Sequence, residues 1–63
     1  MPKTDIIIET PPTNVNKLIE IVEKELEKEN YHFLKIAFDQ QLIFCNSDAE
    51  TYSLVKDYVS LRN

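Results

Sequence analysis

Apolar residues recur along this chain with two different periods, and the change between them marks out its elements. In residues 15–26 they fall at Val15, Leu18, Ile19, Val22 and Leu26, one face of an α-helix widened by Ile21. Glu20, Glu23, Lys24, Glu27 and Lys28 occupy the opposite face. That pattern predicts a helix over residues 14–29, capped by Thr13 with Thr10 as the alternative. Asn30 is its natural stop, because asparagine tolerates the left-handed backbone that closes many helices. Ahead of the helix, residues 5–9 hold three consecutive isoleucines and are ended by Pro11 and Pro12. The segment is too short for a helix and predicts a strand.

From residue 31 onward the pattern changes. Residues 31–38 and 42–45 are rich in aromatic and β-branched side chains and flank Asp39, Gln40 and Gln41. They predict two strands of a hairpin. The chain has no glycine, which disfavours a two-residue turn with positive φ at both central positions. A three-residue loop instead pairs Phe38 with Leu42 and Ile36 with Phe44, gathering Leu34, Ile36, Phe38, Leu42 and Phe44 on one face. Ser47 followed three residues later by Glu50 is a capping box. It opens a second helix, expected from Asp48 to near Leu61, whose apolar stripe is Ala49, Tyr52, Leu54, Val55, Tyr58, Val59 and Leu61.

The predicted order is thus β-α-β-β-α. It implies an α+β fold, an open two-layer sandwich with a three-stranded sheet, the third strand central, and two helices on one face. Residues 1–63 make one small domain. The order is similar to that of truncated ferredoxin-like and DinI-like small domains, a likeness of topology that implies no activity.

Length then changes the picture. A chain of 63 residues buries only about 60% of the surface it exposes when unfolded, so its stability is marginal unless supplemented. One cysteine and one histidine make neither an intrachain disulfide nor a four-ligand zinc site. No metal or cofactor is expected, and association with a second chain is the supplement that remains. The net charge of -4 argues against direct binding to nucleic-acid phosphates, which calls for a basic face. Phosphate-cradling loops need the glycine that is missing. No run approaches the length of a membrane span, and residues 1–3 lead into no signal-peptide core. A single unpaired thiol fits a reducing compartment, so a cytoplasmic protein is expected.

Two surfaces stand out as candidate sites. In the expected register Ile7, Tyr31, Phe33, Ile43 and Cys45 share the sheet face that no helix covers, together with Lys35 and Ala37. Such an apolar face predicts a contact with another protein or with a second copy. The other candidate is the acidic run Glu20, Glu23, Glu25, Glu27 and Glu29, whose last members sit where the helix dipole disfavours anions. No catalytic residue is assigned. In that register His32 points away from Cys45, which removes the only nucleophile–base pair the composition allows. The expectation is a non-enzymatic interaction module, a small regulator, adaptor or inhibitor that binds an unknown protein as a homodimer. The alternative is an acidic, nucleic-acid-mimicking inhibitor of a basic DNA- or RNA-binding protein. The abundance of Ile, Lys and Asn suits an AT-rich genome, such as that of a low-GC bacterium or its phage.

Overall fold

Two short strands enclose three helices in a computed structural model that describes Met1–Asn63. The order is β1 (Ile7–Glu9), α1 (Val15–Lys28), α2 (His32–Leu42), α3 (Asp48–Tyr58) and β2 (Ser60–Arg62). The strands pair in parallel, with Ile7 opposite Ser60, Ile8 opposite Leu61 and Glu9 opposite Arg62. The expected α+β sandwich of a three-stranded sheet under two helices is therefore corrected: the protein has three helices and a two-stranded parallel sheet. The hairpin of residues 31–45 does not exist. Most of it is α2.

The physical reason lies in a segment whose apolar residues satisfy both periods. Leu34, Ile36 and Phe38 alternate as a strand would, but Leu34, Phe38 and Leu42 also recur every four residues as a helix would. The bend decides between them. A hairpin must turn at Asp39-Gln40-Gln41 without a glycine, whereas a helix runs through glutamines at little cost. The helix also brings Lys35 within 3.8 Å of Asp39, a one-turn ion pair that a strand would not make. Strand propensity, which depends on context, gives way.

Local chemistry sets the other boundaries. Asn14, not Thr13, caps α1: its Oδ1 accepts from the Lys17 amide at 3.1 Å. At the far end Asn30 adopts φ 65°. The Tyr31 amide then donates to the Leu26 carbonyl at 2.8 Å and the Asn30 amide to that of Glu27 at 3.1 Å. This is a Schellman closure, with Tyr31 packing on the core just after it. Ser47 caps α3 through a 3.1 Å bond from the Glu50 amide to its Oγ. The Glu50 carboxylate reaches back to accept from the Asn46 amide at 2.7 Å, one residue before the cap.

Helix α3 stops at Tyr58, three residues short of the expected end. Its last carbonyls are occupied by another part of the chain. The Lys3 amide donates to the Asp57 carbonyl at 2.9 Å, and Thr4 gives that of Tyr58 both its amide, at 3.1 Å, and its hydroxyl, at 2.6 Å. Those bonds satisfy acceptors that a helix end leaves free. Val59 is extended, and residues 60–62 leave the helix to pair with β1 as β2.

The core sits between the sheet and the helices. Ile6 and Ile8 enter it from the first strand region, Leu18, Val22 and Leu26 from α1, Phe38 from α2, and Val55, Tyr58 and Val59 from α3 and its end. Helix α2 gives the core one fully buried side chain, Phe38, with Leu34 and Leu42 packed partly buried beside it, and carries further apolar residues on its other side.

Candidate interaction surface

Helix α2 is apolar on two faces. Tyr31, Leu34, Phe38 and Leu42 turn inward, half-buried except for Phe38, which is fully enclosed. The opposite side carries Phe33, Ile36, Ala37, Gln40, Ile43 and Phe44. The helical path continues through Ile43, which keeps φ -59° and ψ -30°. Amides of Phe44 and Cys45 then donate to the carbonyls of Gln41 and Leu42, each at 3.1 Å, tightening the end into a final turn. That turn keeps Ile43 and Phe44 in line with Phe33 and Ile36. Their exposures are 88% for Phe33, 55% for Ile36, 77% for Ile43 and 80% for Phe44.

These four side chains present on the order of 600 Å2 of apolar surface, taking roughly 200 Å2 for each full side chain. The largest apolar patch on a typical monomer is about 300–600 Å2 and is often functional. The stripe is at the top of that range on a chain of 63 residues. A helix that is hydrophobic all round belongs in an interior. This chain supplies an interior for one side only.

No family model matches this chain, and no curated protein or solved structure is significantly similar to it.

Of the five residues expected to share an uncovered sheet face, the fold gathers two, Phe33 and Ile43, and places both on a helix. Ile7 lies on the outer side of β1, half exposed, away from Ile6 and Ile8. Tyr31 is half-buried, and its hydroxyl donates to Asp5 at 3.1 Å. That bond is the main reason its pKa is raised. Cys45 is half-buried at the end of α2, its thiol 3.7 Å from the Gln41 carbonyl. Ile36 and Phe44 belong to the exposed stripe, whereas the hairpin register places them in the core. Their spacing to Phe33 and Ile43, three and four residues with Gln40 between, is the sequence signal that finds them.

The acidic run divides around α1. Glu20, Glu23 and Glu27 fall on one side of the helix, Glu25 and Glu29 nearly opposite, as 3.6-residue spacing requires. Glu25 and Glu29 border a shallow depression with Asp5, Ile6 and Ile7. Glu23 leans toward α2, where its carboxyl meets that of Asp39. A hydrogen bond with Asp39 raises the Glu23 pKa from 4.5 to about 6; burial and the Asp39 charge add to the rise and Lys35 opposes it. The other depression, lined by Lys17, Glu20, Ile21 and Lys24, lies on one surface of α1. His32 and Cys45 stand at opposite ends of α2, roughly 20 Å apart at about 1.5 Å per residue, so they form no nucleophile–base pair. No helix is long and apolar enough to cross a membrane.

Proposed function

We propose that this protein is a non-enzymatic interaction module, a small regulator, adaptor or inhibitor whose working surface is the outer face of α2. The observation that carries this reading is the exposure of Phe33, Ile36, Ile43 and Phe44 along one side of a helix already packed on its other side. Exposed aromatic and aliphatic anchors in a row fit the helix-face mode of protein recognition, where residues three and four apart enter a partner's groove. Binding through this face is hydrophobic and keeps its strength as salt rises.

The acidic-mimic alternative draws less support. A phosphate mimic needs its charges on one surface, whereas the five glutamates split between two sides of α1 and Glu23 is committed to Asp39.

Affinity purification from the native host with wild-type, Phe33→Glu and Glu20→Gln/Glu27→Gln baits tests the reading. A partner held by wild type and by the glutamine variant, and lost by Phe33→Glu, is the expected result. A partner that ignores Phe33→Glu and is released by the glutamine variant or by salt overturns it.

A further inference from the structure

We infer that the occupant of the α2 face is a second copy of this chain, packed antiparallel across a two-fold axis. The inference rests on the reading of α2 as the working surface and names its partner.

Area comes first. Covering the stripe on both copies removes about 1,200 Å2 from solvent, which clears the roughly 1,000 Å2 that a specific interface needs. The protein is also one that gains from a partner, since 63 residues make a marginal core and its single cysteine is unpaired.

Charge comes second. Each chain carries a net charge of -4, so most pairings of its surface bring like charges together. The stripe of Phe33, Ile36, Ala37, Gln40, Ile43 and Phe44 contains no Asp, Glu, Lys or Arg. It is a face on which two acidic copies meet without juxtaposed carboxylates, and it offers a basic partner no acid to pair with.

The order of side chains sets the direction. Along α2 the stripe reads Phe, Ile, Ala, Gln, Ile, Phe, large at both ends with a small and a polar residue in the middle. A two-fold axis perpendicular to the helix sets Phe33 of one copy level with Phe44 of the other, interleaves the isoleucines, and places Ala37 opposite Gln40. The small Ala37 leaves room for the Gln40 amide, and a single polar residue in such a seam fixes register. Parallel packing would stack Gln40 on Gln40 and Ala37 on Ala37. It would also align two helix dipoles whose first turns lack acids and whose last turns lack bases.

Sedimentation equilibrium and a charge-exchange pair test this. Wild type at high micromolar concentration is expected at twice the 7.4 kDa chain mass. Phe33→Lys alone and Phe44→Glu alone are each expected to be monomeric with unchanged far-ultraviolet circular dichroism, because both side chains are solvent-exposed. An equimolar mixture of the two is expected to regain the dimer, since antiparallel packing brings the new lysine against the new glutamate. A dimer that survives both single substitutions, or a mixture that stays monomeric, overturns the inference, as does a Phe33→Cys/Cys45→Ser variant that crosslinks to itself under oxidation. Monomeric wild type overturns it too. In that case the reading of α2 as a binding face stands or falls separately, on whether Phe33→Glu releases a different protein.

Discussion

Phe38 and Tyr58 meet edge to face, their ring centroids 5.2 Å apart at an angle of 69°. Both rings are fully buried. The contact fixes the rotation of α2 against α3, and the Tyr58 hydroxyl holds it by donating to Gln41 one helical turn further along α2. Burial of that hydroxyl raises its pKa, with the nearby Asp57 charge adding to the effect. Once Phe38 is placed inward, Phe33, Ile36, Ile43 and Phe44 are necessarily outward. The working surface is a consequence of this pair.

Substitutions along α2 should therefore split by face. Phe38→Ala is expected to cost about 3–5 kcal/mol, a typical value for an enclosed aromatic. That is most of the stability of a small domain, so the variant should be largely unfolded at room temperature. Ile36→Ala should stay within about 0.5 kcal/mol when measured below the concentration at which the chain associates. Urea melts of the two variants check this. Comparable losses at both positions would restore the strand reading, in which Ile36 and Phe38 share one core face.

How much of this was legible follows punctuation. The first helix and the start of α3 carry explicit signals, Asn30 at one boundary and Ser47 with Glu50 at the other, and the chain uses both. Helix α2 has none. Tyr31 makes no side-chain cap, the first turn has no acid and the last no base. Because α1 closes directly into α2, nothing in residues 29–32 announces a new helix. Strand β2 is three residues long and is held by partners near the other end of the sequence, such as the Ile6 carbonyl that accepts from Ser60 at 3.0 Å. No local pattern encodes such a pairing. The site was half legible for a related reason. Residues 33 and 43 share a face under either period, being ten apart, whereas 36 and 44 join them only on a helix.

The turn between α1 and α2 gives a second prediction. At φ 65° Asn30 occupies backbone that a β-branched residue reaches only at about 1–2 kcal/mol. Asn30→Val should lower stability by that amount, and Asn30→Gly should leave it within about 1 kcal/mol. The comparison is read as the difference between their urea midpoints. If valine were tolerated as well as glycine, the Schellman closure would not be what sets the angle of α2 on α1.

The last prediction concerns Glu23 and Asp39, which couple α1 to α2 through their carboxyls. The folded-state pKa of Glu23 is raised from 4.5 to about 6, first by its hydrogen bond with Asp39, then by burial and the Asp39 charge. The folded protein thus holds more protons than the unfolded chain between those values, so this pair's contribution is fully present below about pH 4.5 and is lost as pH rises through 6. The full shift corresponds to about 2 kcal/mol at about 1.4 kcal/mol per unit. Solvent screening of a partly exposed carboxyl reduces that to about 1 kcal/mol. Glu23→Gln keeps a donor toward Asp39 and removes the repulsion. It should be more stable than wild type by about 1 kcal/mol at neutral pH and equal to it only below about pH 4.5. Thermal melts of both proteins across that interval isolate the pair from the rest of the acidic surface, whose titration they share. A constant difference between the two proteins at every pH would mean that Glu23 titrates in the folded protein as it does in the unfolded chain. Convergence on acidification would show that the junction between α1 and the helix bearing the exposed stripe tightens as Glu23 takes up its proton.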